Sequence, residues 1–118
     1  MTKVAIPIFQ KRVSPVLDTC KHMLVINFKD GYEIDRESIF FGDMSLNERC
    51  RIFEKLGVSL IICGGISEAF GKILKCVKLQ LINGIAGEVE DVLTAYSGGC
   101  LDHPKFYMPG FKPDNKRM

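Results

Sequence analysis

Hydrophobic residues along this chain alternate between short unbroken runs and segments with the spacing of an amphipathic helix. Two of the runs, at residues 58–63 and 79–82, lead directly into glycines and then into such a segment. Two successive units of strand, glycine turn and helix predict neighbouring parallel strands whose carboxyl ends share one edge of a sheet. Ligands of open α/β sheets bind outside that edge. We therefore expect a binding site at the glycine turns.

Three more strands are predicted before the first helix. Residues 3–9 form a compact apolar run, and residues 22–28 form a second one. The pair Asp30-Gly31 is a hairpin turn signal, and residues 32–39 alternate between polar and apolar side chains. This alternation is typical of a half-exposed edge strand.

Three helices follow from capping residues and spacing. Ser45 and Glu48 form a capping box, and that helix should end at Gly57. The second helix is predicted from apolar spacing over 66–74, and the third opens with acidic residues at 88–91, which favour the helix dipole. The predicted order is β-β-β-α-β-α-β-α in one domain, 1–100. An irregular tail, 101–118, contains prolines and aromatic residues and should dock on this domain or on a partner surface.

Composition narrows the classes of function. A chain of 118 residues with 47% hydrophobic and 25% charged residues fits one globular domain. Its net charge of +2 is too small for a nucleic-acid groove, and no apolar run is long enough to span a membrane. Five scattered cysteines and no signal peptide pattern indicate reduced thiols, so we expect a cytoplasmic protein.

Five separated segments of residues 3–100 together resemble one known family, the dinitrogenase iron–molybdenum cofactor biosynthesis family, or nitrogenase accessory factor-like domains. The segments are Val4-Ala5-Ile6-Pro7, Val13-Ser14-Pro15, Gly57-Val58, Cys63-Gly64-Gly65-Ile66 and Gly84-x-x-Gly87 with Val92-x-x-Ala95-Tyr96. The resemblance implies a ribonuclease H-like α/β fold with three layers, α/β/α. Its five-stranded mixed sheet would have the order 3-2-1-4-5, with strand 2 antiparallel to the others.

The same resemblance implies a carrier or chaperone that binds an iron–molybdenum or related metal–sulfur cluster and delivers it to an acceptor protein. Two departures from the family pattern stand out. Relatives usually have His and then Gly-Arg after Ser-Pro, whereas Val16 and Leu17 follow Pro15 here. Their first loop is usually acidic, whereas this one contains Lys11 and Arg12. These two cations could replace the missing arginine in binding an anion.

In the strand order that the resemblance implies, the second predicted strand, residues 22–28, is antiparallel to the others. Its start therefore lies at the edge that carries the glycine turns, and we expect the site there. Thiolate and imidazole ligands suit iron and iron–sulfur clusters. We expect metal ligands at Cys20, His22 and Cys63, with the first two facing the same way. The expected cluster-binding residues are Lys11, Arg12, Ser14, Gly64, Gly65, Gly84 and Gly87. The alternative for these positions is plain structure: buried thiols, tight turns and a solvated loop.

Other functions receive less support from the sequence. A zinc site formed by Cys20, His22, Cys100 and His103 is disfavoured, because the third helix should carry Cys100 to the opposite end of the sheet. Nuclease chemistry needs carboxylates on the central strands, and these strands have none. We expect no enzymatic activity. A protein-interaction module and a small-anion binder remain alternatives, and the chain could be a monomer or a homodimer.

Overall fold

A computed structural model describes residues 2–101 and 103–108 of the protein. The strands are β1 (Thr2–Phe9), β2 (Arg12–Val13), β3 (His22–Lys29), β4 (Tyr32–Phe40), β5 (Leu60–Ile62) and β6 (Gln80–Ile82). The helices are α1 (Leu46–Leu56), α2 (Glu68–Leu74) and α3 (Val89–Ser97), followed by a short 3-10 turn at Pro104–Phe106. Residues 102 and 109–118 of the predicted tail lie outside the described residues.

The strands form one open mixed sheet. Its main order is β4-β3-β1-β5-β6, and β2 pairs with the end of β1. Strands β1, β5 and β6 are parallel, whereas β3 is antiparallel to both of its neighbours. The sheet therefore has six strands where five were expected, because a hairpin after β1 adds the two-residue β2. With β2 counted, the order of the main strands reads 4-3-1-5-6 instead of the predicted 3-2-1-4-5. The ribonuclease H-like class stays a prediction.

Local signals placed several turns correctly. Ser45 and Glu48 form both hydrogen bonds of the capping box, and α1 ends at Gly57, whose φ is 75°. Asp30 and Gly31 have φ values of 54° and 83°, as a tight hairpin between β3 and β4 requires. Helix α2 begins only after its cap Ser67, so the predicted helical residues at the start of 66–74 belong to the preceding turn.

Two apolar clusters lie on the two faces of the sheet. One contains Val4 and Ile6 of β1 and is covered by α3. The other contains Ala5 and is covered by α1 and α2. The split follows from the alternation of side chains along a strand, which sends neighbours to opposite faces. The α3 cluster also includes buried Phe106, so part of the tail packs against the domain.

The outer strand β4 has little cover. Eight of its nine residues are exposed and only Ile39 is half-buried, which confirms an edge strand. Within the described part of the chain, no helix is both long and apolar enough to cross a membrane.

Candidate functional site

The rim of the sheet, where β1, β5 and β6 end, also receives the start of β3. His22 is paired with Ile8, so the first residue of β3 lies beside the end of β1. Beyond Ile8 the chain turns back through Gln10, whose φ of 58° is in the left-handed region, and Lys11. This turn places Lys11 and Arg12 above the rim. The predicted meeting of the first loop with the start of the antiparallel strand is therefore observed.

The first glycine turn is packed against the protein's own backbone. Gly65 N donates to Pro15 O at 2.6 Å, and Leu17 N donates to Gly65 O at 2.8 Å. A Cβ on Gly64 would lie only 2.7 Å from Pro15 O and 2.8 Å from Ser14 O. Glycine is required here because residues 14–17 cross the turn closely. Ser14 is buried in the same crossing, where its Oγ donates to Val16 O at 3.4 Å.

The second glycine turn is covered by the tail. Gly84 has a φ of 75°; its N donates to Gly64 O, and its O accepts from Met108 N, both at 2.8 Å. Ala86 N donates to Phe106 O at 2.7 Å. Gly87 O accepts from Val13 N at 3.0 Å. The N–H and the carbonyl of Gly84 and the carbonyl of Gly87, which lie at the turn expected to face a ligand, are therefore bonded within the chain.

The two predicted thiol ligands are buried together in the α1/α2 cluster. Cys63 is 0% exposed and Cys20 is 4% exposed. Arg49 Nη1 lies 3.6 Å from Cys20 Sγ and also donates to Cys20 O. Burial raises the pKa of the Cys20 thiol, and the positive charge of Arg49 offsets part of that effect. The Cys20 thiol is therefore held mainly protonated and away from solvent.

His22 lies in a different environment. It is exposed, and its pairing with Ile8 puts it on the α3 face of the sheet. The expectation that Cys20 and His22 face the same way was wrong, because β3 begins at His22 and Cys20 precedes it in an irregular segment. Among the described residues, no group of three or more His, Cys, Asp or Glu side chains is placed to hold a metal ion.

Several exposed cationic and aromatic residues lie on the chain segments that meet at this end of the sheet. We call this set the rim surface; it consists of Phe9, Lys11, Arg12, Lys21, His22 and Phe40. The rings of His22 and Phe40 pack with their centroids 5.2 Å apart. All six residues are exposed. Within residues 2–101 and 103–108, none of the three cations of this surface forms an ion pair.

A cavity of about 390 Å³ lies beside the rim surface, between the sheet and the start of α3. Its apolar walls are Ile8, Leu24 and Val89, and its polar edge includes Lys11, Gln10, Glu88, Glu90 and Arg36. Arg36 donates to Glu90 at 2.7 and 3.2 Å and to Glu33 at 2.6 Å through two of its nitrogens. These hydrogen bonds lower the pKa of Glu90, which therefore stays ionised beside the cavity.

Two arginines that belong to this region, Arg36 and Arg49, were not predicted from the sequence. Arg49 is 3% exposed and donates to the backbone oxygens of Gly42, Met44 and Cys20. The sequence did contain a signal for it, because Arg49 lies on the helix face of Leu46 and Phe53 at the spacing of buried positions. The role of Arg36 could not be predicted in this way, because Glu90, its partner on α3, is distant in sequence.

Comparisons with family models and with curated proteins gave no match to this sequence. Several solved structures share its fold. The crystal structure of the protein PH0822 has a TM-score of 0.77 and 17% sequence identity, covering 83% of this chain and 90% of the other. A crystal structure described as a "putative dinitrogenase" from Methanocaldococcus jannaschii has a TM-score of 0.70 and 23% identity, covering 83% and 89%.

An NMR structure of a "putative NifB protein" from Thermotoga has a TM-score of 0.69 and 15% identity, covering 98% of this chain and 99% of the other. At identities this low the likeness shows the fold alone. The chain thus shares its fold with proteins described as a "putative dinitrogenase" and a "putative NifB protein".

Proposed function

We propose that this protein is a non-enzymatic carrier that binds an anionic metal–sulfur cluster, iron–molybdenum or related, at the rim surface and delivers it to an acceptor protein. The observation that carries the proposal is the group of exposed cations, Lys11, Arg12 and Lys21, without ion-pair partners among the described residues. The shared fold with structures named for nitrogenase supports the choice of cargo.

Electrostatic attraction is the main binding force in this proposal. Opposite unit charges about 4 Å apart near a protein surface attract by roughly 4 kcal/mol, before salt screening reduces the effect. A multiply charged cluster close to Lys11 and Arg12 would gain several such contributions. Lys11 lies in the turn between β1 and β2 and Arg12 begins β2, so the hairpin holds both cations at the edge of the sheet where ligands of α/β folds bind.

The ligand atoms available at the surface differ from the predicted set. The imidazole of His22 is exposed and suits iron. Both thiols are buried in the apolar cluster that α1 and α2 cover, and Leu17 of the segment 14–21 belongs to the same cluster, so coordination by Cys20 or Cys63 would require that segment to move. We therefore propose that the cluster is held by charge and by His22, with Cys20 and Cys63 as ligands only if that segment opens.

The test is anaerobic incubation with isolated iron–molybdenum cofactor, followed by desalting and metal analysis. We expect the wild-type protein to retain molybdenum and iron, and the K11Q/R12Q variant to retain about tenfold less at equal cofactor concentration. The matched control is K75Q/K78Q, which removes two exposed lysines near α2. Metal-free wild-type protein, or equal loading of the K11Q/R12Q variant, would contradict the proposal.

A second candidate function is the binding of a small oxyanion such as molybdate or phosphate. The same cations favour it, since they form no ion pair within the described part of the chain, and it requires no group of soft metal ligands. Equilibrium dialysis with molybdate separates the two functions. Saturable binding of molybdate by a protein that retains no cofactor would favour the oxyanion.

A further inference from the structure

We propose that the outer edge of β6 binds the end of this same chain, with residues 109–112 added there as an antiparallel strand. The occupant follows directly after Met108, the last residue that the structure describes. This pairing involves neither the rim surface nor the cysteines, so it is independent of the cargo proposed above.

The outer edge of β6 is open within residues 2–101 and 103–108, where β6 has β5 as its one strand neighbour. All three residues of β5 are buried, whereas Leu81 and Ile82 of β6 are half-buried and Gln80 is exposed. An open edge presents backbone N–H and C=O groups on which a further strand can pair.

Hydrogen bonds to β5 show which backbone groups of β6 face this edge. Gln80 N donates to Ser59 O at 2.9 Å. Cys63 N donates to Ile82 O, also at 2.9 Å. The N–H and C=O groups of successive residues point alternately to the two sides of a strand. Those of Leu81 therefore face the open edge.

The backbone of Asn83 faces the same edge. The N–H and C=O of a trans peptide point in opposite directions. Gly84 N donates inward to Gly64 O at 2.8 Å, so the carbonyl of Asn83 points outward. Since Ile82 O points inward to β5, the N–H of Asn83 also points outward. Leu81 and Asn83 together offer donors and acceptors to a strand at this edge.

Residues 106–108 already run in the direction that the pairing needs. Phe106 O accepts from Ala86 N at 2.7 Å, and Met108 N donates to Gly84 O at 2.8 Å, in an antiparallel bridge. The chain therefore passes from Ala86 towards Gly84, and its next residues come beside β6. Each extended residue adds about 3.3 Å, so residues 109–112 reach about 13 Å, past the three residues of β6.

The two prolines that follow Met108 fit this direction. Met108 N faces the sheet, so by alternation the N–H of Gly110 faces it as well, and the nitrogens of residues 109, 111 and 113 face away. Pro109 and Pro113 occupy two of these outward positions. Proline occurs in edge strands where its nitrogen faces solvent. The prolines therefore stand where β6 needs no donor.

The turn at Gly84 sets the register. Gly84 has a φ of 75°, as in a β-bulge with glycine in the left-handed conformation, so it lies with Asn83 opposite Met108. In the proposed pairing, Gly110 is therefore opposite Leu81, and the two residues exchange both backbone hydrogen bonds.

Phe111 supplies the apolar part of the contact. It is opposite Gln80, so its side chain lies on the face of the sheet that α3 covers. A cavity of about 440 Å³ lies at the start of β6, and Leu60, Gln80 and Tyr96 are among its walls. The Phe111 ring reaches this cavity from the neighbouring strand, and burial there removes apolar surface from water.

The experiment is amide hydrogen exchange, measured by NMR on the full chain and on a chain that ends at Met108. We expect the amides of Leu81 and Asn83 to be protected in the full chain and to exchange at least about tenfold faster in the shortened one. The amides of Gln80 and Cys63, which bond between β5 and β6, are the internal controls and should change by less than about threefold.

Point variants test the pairing in the full-length chain. Gly110→Pro removes the N–H that faces Leu81, and it should speed exchange of the Leu81 amide by about fivefold or more. Gly110→Ala is the matched control, because it keeps this N–H, and exchange should stay as in the wild-type protein. A nuclear Overhauser effect between the α protons of Phe111 and Gln80 checks the register, since directly opposite residues of this kind have Cα atoms about 4.5 Å apart.

Three results would overturn the proposal. The first is equal exchange of Leu81 and Asn83 in the full and shortened chains. The second is equal exchange in Gly110→Pro and Gly110→Ala. The third is protection of these amides that rises with protein concentration, with Overhauser effects between differently labelled chains, because a second copy would then occupy the edge.

Discussion

Arg49 Nη1 lies 3.6 Å from Cys20 Sγ, and both side chains are buried. The guanidinium also donates to the backbone oxygens of Gly42 and Met44, and it packs 5.2 Å from the centre of the Phe41 ring. A single buried cation on α1 thus joins the segment before β3 to the segment after β4. These two segments border the rim surface, so Arg49 supports the site without reaching it.

Replacing Arg49 should destabilise the whole domain. Arg49→Met keeps much of the side-chain volume but takes the Arg49 donor from one buried and two partly buried carbonyl oxygens, and we expect a loss of roughly 2–4 kcal/mol in the free energy of unfolding. Urea denaturation measures it. The matched control is Arg51→Met on the exposed side of the same helix, which should change stability by less than about 0.5 kcal/mol. Equal effects of the two substitutions would contradict the role assigned to Arg49.

The crossing at the first glycine turn predicts opposite effects for two Gly→Ala substitutions. In Gly64→Ala the new methyl would overlap Pro15 O and Ser14 O, both rigid backbone atoms, so we expect about 2 kcal/mol of destabilisation. Gly71→Ala lies inside α2 with no atom within 4 Å of the new methyl, and it should stabilise by roughly 0.5–1 kcal/mol. Thermal unfolding of both variants tests this. A stable Gly64→Ala protein would mean that residues 14–17 are free to move off the turn.

The buried thiol predicts a stability that declines at alkaline pH. Burial raises the pKa of Cys20, so the folded state keeps its proton when the unfolded thiol, with a pKa near ~8.5, has lost it. The contribution of Cys20 to stability is fully present below that pH and is lost as the pH rises through the folded pKa. In Cys20→Ala, the urea concentration at the unfolding midpoint should therefore decrease less steeply between about pH 8 and about pH 10 than in the wild-type protein. The control is Cys76→Ala, at an exposed cysteine, which should leave the slope as it is.

The ion pair between β4 and α3 predicts a small effect that depends on pH and salt. Because Arg36 lowers the pKa of Glu90, the pair stabilises the fold above the unfolded carboxyl pKa of ~4.3 and loses this effect as the pH falls through the folded pKa. The Glu90 side chain is 71% exposed, so Glu90→Gln should cost less than about 1 kcal/mol at neutral pH and low salt. Denaturation at several pH values and salt concentrations measures it. If Glu90→Gln lowers the free energy of unfolding equally at all pH values and salt concentrations, charge is not the cause of the loss.

Sequence patterns predicted the local elements well wherever nearby residues decide the structure. The capping box at Ser45 placed the start of α1, and Asp30-Gly31 placed the hairpin before β4, because each signal acts over a few residues. The two-residue β2 was missed, since it exists only through its pairing with the end of β1. The ligand roles of Lys11, Arg12 and Ser14 remain predictions.

The candidate site shows the limit of the same reasoning. Its position at this edge of the sheet followed from the order of strands and helices, but the covering of the glycine turns and the neighbours of each residue did not. Cys20 and His22, two residues apart, lie in different environments because the strand begins between them. Alternation of side chains applies only inside a strand, and the start of a strand depends on its partners.

The amino-acid sequence by itself determined the alternation of strands and helices, the turns between them and the cationic loop after β1, because these depend on short-range spacing and backbone preferences. Only the tertiary structure decided that residues 14–17 and 106–108 pack on the glycine turns, that Arg49 is buried beside Cys20, and that Phe40 and His22 pack together at the rim. Such contacts join residues distant in the chain. Their stability comes from burial and hydrogen bonds that form together when the sheet assembles.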